Sequence, residues 1–315
     1  MRRFAIMILA ALAAASLHAQ EWPSKPVRIV VPYAAGGTSD VLARLMGQRL
    51  SEAWGQPVVV ENRAGANGNV GSDVVAKSPA DGYTLLLGTS GSNAVNPSLY
   101  KTMPYDAKRD LVYAAPIAST ANVLLVNPAS PYKTLKDLLD TARANPGKVS
   151  YGSSGVGSVL HLCGVMVTQK TGIQWTHIAY KGTGPSLTDL MGGQIDSVFS
   201  NLPAVVPQIQ SGKMRALAVS SAKAIDKIPS LKEQGFNVEL ANWRGIFGAP
   251  GISKAQQAEL IKAVETATKH KSWEDSLKKQ DWTNFWQPGD EYGAFVKSEM
   301  VRIGDILAGL NLGKK

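Results

Sequence analysis

Three glycine-rich turns hold most of the residues in this chain that could do chemistry. They are Ala34-Ala35-Gly36-Gly37-Thr38-Ser39-Asp40, Gly152-Ser153-Ser154-Gly155-Val156-Gly157-Ser158 and Lys181-Gly182-Thr183-Gly184-Pro185-Ser186. Each follows a strand-like run and precedes a helical pattern. In an open α/β sheet such turns lie at the carboxyl ends of strands, where ligands bind. There the first amides of a helix lack an intrahelical acceptor, and the helix end carries roughly half a positive charge. Glycine lets an anion approach that backbone with no side chain in the way. The competing reading is local. A strand-to-helix turn favours Gly and a Ser or Thr cap whatever it binds, and Asp40 in a first helical turn complements the helix dipole. One such turn alone reads as capping; three in one chain move the balance towards an anion site.

Catalytic patterns are absent by comparison. The glycines of the second turn run G-x-x-G-x-G, the wrong order for a dinucleotide fingerprint, and no Gly-Lys-Ser/Thr ending supplies a phosphate-binding lysine. Gly88-Thr89-Ser90-Gly91-Ser92 misses the nucleophile elbow Gly-x-Ser-x-Gly. Ser158 and His161 stand three residues apart, a spacing that serves a structural role as readily as a catalytic one. His177 and His270 are isolated along the chain, and no His/Cys/Asp/Glu group has metal-ligand spacing. No metal and no cofactor is implied. Cys163, the single cysteine, falls in an apolar helical stretch and reads as a buried, inert thiol.

The turns need a scaffold, and the hydrophobic pattern supplies one. From Pro26 onward strand-like and helix-like segments alternate, the signature of layered α/β architecture. Val27 to Val31 reads as a strand; a helix then begins near Thr38, carries Val41, Leu42, Leu45 and Leu50 on one face, and stops at Gly55. Val58 to Val60 and Tyr83 to Leu87 are the next strands, the second delivered by the turn signal Pro79-Ala80-Asp81-Gly82. In a second block, strands at 122–126, 149–151, 176–180, 195–199 and 215–219 alternate with helices at 135–144, 156–170, 186–191 and 205–210. The last third holds a strand at 245–248 and helices near 254–269, 273–279 and 291–307.

The N-terminus and composition set the compartment. Arg2 and Arg3 precede an apolar run, Phe4 to Ala15, that is shorter than the about 20 residues needed to cross a bilayer. Ser16-Leu17-His18-Ala19 then offers a cleavage point, which predicts a signal peptide over residues 1–19 and export. Because Leu17 suits its place before that cut poorly, cleavage after Ala15 or Ser16 stays open. With 315 residues, 44% hydrophobic and 18% charged, the chain is long enough for two lobes and ordinary for a soluble protein. A single cysteine allows no intrachain disulfide, which suits a periplasm and a core large enough to do without one. The formal charge of +9 is scattered, without the aromatic-interleaved basic stripe of a nucleic-acid binder.

Seven stretches, taken in order, carry a resemblance. They are Val31-Pro32-Tyr33-Ala34-Ala35-Gly36-Gly37-Thr38-Ser39-Asp40, Val60-Glu61-Asn62-Arg63-Ala64-Gly65-Ala66-Asn67-Gly68, Pro79-Ala80-Asp81-Gly82-Tyr83-Thr84-Leu85-Leu86, Tyr151 to Ser158 with His161-Leu162, Tyr180-Lys181-Gly182, Gly212 to Val219 and Trp243 to Pro250. In them the chain resembles the Bug family, the extracytoplasmic receptors of tripartite tricarboxylate transporters, over nearly all of its length beyond the N-terminus. The resemblance implies an α/β, type II-like periplasmic-binding-protein fold: two lobes, two crossovers between them, and a ligand cleft. Lobe one would use roughly residues 22–120 and 237–315, lobe two roughly 121–236. It implies a monomeric receptor, not an enzyme, that closes on a small mono- or dicarboxylate and delivers it to membrane transporter subunits or to a sensor kinase.

Members of that family hold a ligand carboxylate mainly through backbone amides, hydroxyls and ordered water. Carried over position by position, the implied site takes Tyr33, Gly37, Thr38 and Asp40 from the first turn, with Thr89, Ser90 and Asn93 as a second wall of lobe one. Ser154, Gly157, Ser158 and His161, with Thr183 and Ser200, would face them from lobe two. The chain departs from the family at Tyr33, usually Phe, whose added hydroxyl can hydrogen-bond a ligand or water. It departs again at Cys163-Gly164-Val165, where an acidic residue is common, and over Lys223 to Ser230, where Arg and Pro-Thr signals are weakened. Arg244 would pair bidentately with a second carboxylate if it faced the cleft; strand alternation leaves an outward Arg244 equally open. The rival class is an exported serine hydrolase with Ser158 as nucleophile and His161 as base, which requires an orienting acid behind the base.

Overall fold

In a computed structural model that describes residues 22–180, 182–279 and 282–308, the elements follow the alternation read from the sequence. The signal peptide expected over residues 1–19 and Lys181 of the third turn lie outside the described residues. The chain begins with β1 (Val27–Val31), α1 (Thr38–Trp54), β2 (Val58–Asn62), α2 (Asn69–Ala76) and β3 (Thr84–Thr89). A π-helical turn over Gly91–Val95 and the short α3 (Asn96–Leu99) follow. Next come β4 (Val112–Val126), α4 (Leu135–Ala144), β5 (Ser150–Ser153), α5 (Val159–Thr171) and β6 (Thr176–Ala179). Then α6 (Thr183–Met191), β7 (Ser197–Asn201), α7 (Val206–Gln210) and β8 (Arg215–Val219) lead to β9 (Ala241–Gly248), α8 (Lys254–Thr268), α9 (Lys271–Lys279) and α10 (Asp290–Ala308).

β4 joins the two lobes. Its residues from Val112 to Ala121 pair antiparallel with β9, while Asn122 to Val126 pair antiparallel with β7, and Val123 to Val126 also with β8. The sheet order is β2-β1-β3-β9-β4-β7-β5-β6, with β8 also on β4. On one side β1 runs parallel to β2 and β3; on the other, β5 runs parallel to β6 and β7. Only the last third of β4 and the second half of β9 are legible as strands in the sequence. Pro116, which has no N–H to donate, and the surrounding alanines hide the rest, and the ladder accommodates them with register shifts at Tyr113/Ala115 and Pro116/Ala118.

A buried polar clasp locks the crossover. Asn122 donates its backbone N–H to Ser220 Oγ at 2.9 Å and its Nδ2 to Leu240 O at 2.8 Å, and Ser220 Oγ donates to Leu240 O at 2.7 Å. Both side chains are fully buried, so these bonds form in a low dielectric where leaving them unmade would be costly.

Packing follows from the apolar faces, with one correction. α1 buries Leu42, Ala43, Met46 and Leu50, but Val41 points outward at 42% exposure. The i, i+4, i+8 row from Leu42 through Met46 to Leu50 is the face that meets the sheet, and Val41 lies about 100° off it. Gly55 closes the helix as expected, at φ 62°. α5 is different: every residue from Val159 to Val167 is buried, so this helix is apolar all round and Cys163 sits inside it with no exposed surface.

Candidate functional site

All three glycine-rich turns open onto one cavity of about 520 Å³. β1 delivers Gly37, Thr38 and Ser39 at the start of α1, β5 delivers Ser154, Gly155 and Val156 ahead of α5, and β6 delivers Gly182 and Thr183 at the start of α6. Ser158, Val159 and Leu160 of the first α5 turn line it as well. The amino ends of helices from both lobes therefore share one space, at the carboxyl ends of parallel strands, where first-turn N–H groups have no helical acceptor. No Asp or Glu lines this cavity among the described residues, and Arg244 is its one fully charged side chain.

The first turn is braced from behind. Asp40 is buried; its Oδ2 accepts from Gly36 N at 2.9 Å and from Arg44 Nε at 3.1 Å, and Arg44 Nη2 lies 2.9 Å from Oδ1. Burial works to raise the Asp40 pKa, but the hydrogen bonds from Arg44 and Gly36 outweigh it and hold the carboxyl below its ordinary value. Asp40 thus shapes the turn and does not line the cavity. Tyr33 lines it, with its hydroxyl 2.8 Å from Thr89 Oγ1 and donating to Asn67 O at 3.4 Å. Desolvation raises the Tyr33 pKa, so it stays a neutral phenol.

The second turn is tied by histidines. Ser158 caps α5, its Oγ accepting from His161 N at 3.1 Å, while His161 Nδ1 accepts from Gly157 N at 3.1 Å. His177, isolated in the sequence, is stacked on His161 with ring centroids 4.0 Å apart, and its Nε2 lies 2.7 Å from Ser153 Oγ. Burial pushes the His177 pKa down to about 4. Ser158 Oγ and His161 Nδ1 each accept an N–H from the backbone of the turn, which is the work of a cap and a brace and not of a nucleophile and its base. Gly157 itself, at φ 82°, sits so close to α3 that a Cβ added there would collide with Leu99.

Across the floor, a chain of side chains connects the lobes through β9. Ser90 Oγ donates to Asn242 Oδ1 at 2.9 Å, and Asn242 Nδ2 donates to Asn201 Oδ1 at 3.0 Å. Asn67 adds a longer link, Nδ2 to Gly157 O at 3.5 Å. Arg244 faces the cavity: strand alternation points Asn242 and Arg244 into it, and Ala241 and Trp243 into a separate cavity of about 830 Å³ behind the crossover. The rear cavity is larger, but none of the three turns reaches it.

Of the residues expected at the site, Tyr33, Gly37, Thr38, Thr89, Ser154, Ser158 and Thr183 line the cavity. Asp40, Ser90, Asn93, Gly157, His161 and Ser200 are buried and do not line it. Sequence reasoning missed Ser39, Asn67, Tyr100, Asn201 and Asn242 as lining residues and left Arg244 open. Asn67 had a signal, since it lies within one of the seven stretches; Asn201 and Asn242 had none, because the bond between them exists only once β7 and β9 flank β4. Among the described residues no group of three or more His, Cys, Asp or Glu could hold a metal ion, and no helix is long and apolar enough to cross a membrane.

Comparison with known proteins agrees with this geometry. Residues 42–312 match the family described as tripartite tricarboxylate transporter family receptor. Protein BugT of Bordetella pertussis is 35% identical over 307 residues, covering 96% of this chain and 94% of BugT. The solved structure of R. palustris Rpa4515 with adipate is 34% identical with a TM-score of 0.85, covering 91% of this chain and 98% of that one. MatC from Rhodopseudomonas palustris with bound malate is 25% identical with a TM-score of 0.81, covering 91% and 100%. This chain belongs to the Bug family of tripartite tricarboxylate transporter receptors, solute-binding proteins and not enzymes, and has their two-lobed α/β fold.

Proposed function

We propose that this chain is a periplasmic receptor that captures a small carboxylate by closing lobe one, residues 22–120 with 237–315, on lobe two, residues 121–236, and delivers it to a tripartite membrane transporter as a monomer. The observation that carries the reading is one cavity reached by helix amino ends from both lobes, with no acidic side chain on its wall among the described residues. Such a cavity favours an anion over a neutral or cationic guest. Thr38, Ser39, Thr89, Ser154, Ser158 and Thr183 offer hydroxyls, and the first amides of α1, α5 and α6 offer N–H donors, to one guest. A guest touching both lobes stabilises the closed arrangement over the open one, and the closed shape is what a membrane partner reads. Adipate and malate in two structural neighbours support the ligand class.

The test is a thermal-shift and calorimetric screen of aliphatic and aromatic mono- and dicarboxylates, with adipate and malate included. At least one should raise the melting temperature and give a saturable isotherm. A panel that is silent throughout removes the carboxylate reading.

A further inference from the structure

Arg244 sits on lobe one, in β9, paired with Thr89 of β3 and Ala118 of β4. It is only 4% exposed. Its Nε donates to Ser39 Oγ at 3.3 Å, its Nη1 donates to Asn242 O at 2.9 Å, and its guanidinium lies 4.6 Å from the ring centre of Trp282. All three partners are neutral, and no carboxylate among the described residues pairs with it. Removing a guanidinium from water is costly unless an anion offsets it. Burial lowers its pKa to about 10, so it remains a cation at neutral pH. Among the described residues Nη2 has no acceptor and Nη1 donates once, so N–H groups on both terminal nitrogens are left for a guest, the end-on pair that matches a carboxylate.

The cavity therefore has two electropositive ends of different kinds. The lobe-two end is made of backbone and hydroxyls at Ser158, Val159, Leu160 and Thr183; the lobe-one end is a formal charge beside Ser39. We infer that Arg244 is a specificity-determining residue that holds a second carboxylate, so that the receptor selects a dicarboxylate bridging the lobes over a monocarboxylate of the same length. The inference rests on the carboxylate-receptor reading above and sharpens it. A turn of amides accepts any carboxylate. A buried guanidinium adds discrimination, because a methyl group placed against it leaves the cation buried and unpaired. This also explains why the cation is tolerated on the wall: the guest supplies its counter-charge.

The test titrates the purified protein calorimetrically with succinate, glutarate and adipate, each matched to butyrate, pentanoate and hexanoate. The best dicarboxylate should bind about a hundredfold more tightly than its matched monocarboxylate, the size expected when one partner of a desolvated charge pair is removed. Arg244→Gln should bring the two to within about threefold, and Arg244→Lys, which keeps the charge and loses the fork, should fall between. Equal affinity for both members of each pair in the wild type, or a preference that survives in Arg244→Gln, overturns the assignment of Arg244 while the carboxylate reading stands. No binding of any of the six, against binding of another carboxylate in the wider screen, overturns the assignment alone; silence in both removes both. Should Arg244→Gln fail to fold, the wild-type pairs and the lysine variant decide.

Discussion

Gly157 and His177 show how single residues govern this cleft without lining it. Gly157 combines a left-handed backbone, φ 82°, with a contact that leaves no room for a Cβ beside Leu99. Gly157→Ala is expected to displace the second turn and weaken carboxylate binding about tenfold, with Leu99→Ala restoring part of the loss, since overpacking is relieved by removing the atoms it strikes. Calorimetry on the two single variants and the double variant checks this; an unchanged affinity in Gly157→Ala would show that the turn is not set by that contact. His177 bears on pH. Its folded pKa is depressed by burial to about 4 from an ordinary 6.5, so between those values the unfolded chain takes up a proton that the folded chain refuses. Stability attributable to His177 is complete above about pH 6.5 and is lost as pH falls towards 4. His177→Gln should therefore lose less melting temperature than the wild type between pH 7 and pH 5 in parallel scans.

At the scale of elements, α5 is the part that links the cleft to the core. Its first turn presents amides to the cavity, and its body is buried on every side. Cys163, at the middle, has its thiol pushed up to about 12 by burial, which makes it a packing group without nucleophilic character. Cys163→Ala should leave ligand affinity within about twofold while costing about 1 kcal/mol of unfolding free energy, the order expected for a small cavity in a packed core. Denaturant unfolding and calorimetry read the two effects separately. A large loss of affinity at unchanged stability would mean that the thiol serves the site. The helix shows why the sequence pattern was readable as a buried helix while its start was not. The sequence reading starts this helix at Val156, yet Gly157 at φ 82° keeps the chain out of helix and Ser158 caps it, so α5 begins at Val159.

For the molecule as a whole, β4 and β9 are, among the described residues, the only strands that link one parallel group to the other, and the Asn122, Ser220 and Leu240 clasp fixes their junction. The ligand cavity lies on one face of β9 and the rear cavity on the other, so the proposed closure would bend the molecule at these two adjacent strands. Under the proposed closure, rotation about that pair that narrows the front is expected to widen the rear, because β9 forms a wall of both spaces. A saturating carboxylate should then reduce the radius of gyration in small-angle X-ray scattering. It should also quicken proteolysis or hydrogen exchange at the rear, where Gln169 Nε2 donates to Ile306 O at 3.2 Å. Identical scattering with and without a bound ligand would contradict closure.

By itself the sequence determined the local architecture: where glycine must break a helix, which runs alternate, which turns precede helices, and which family the motifs belong to. Those features depend on neighbours along the chain, as with Gly55 ending α1 or Ser158 capping α5. The tertiary structure decided what side chains do across distance. Asp40 and His161, expected at the ligand, became braces for the turns, and Arg244, which alternation could have pointed either way, faces the cavity. The reason is the long strand pair: the registry of β9 against β3 and β4 sets the direction of every residue from Asn242 to Arg244, and no property of those residues alone carries that information.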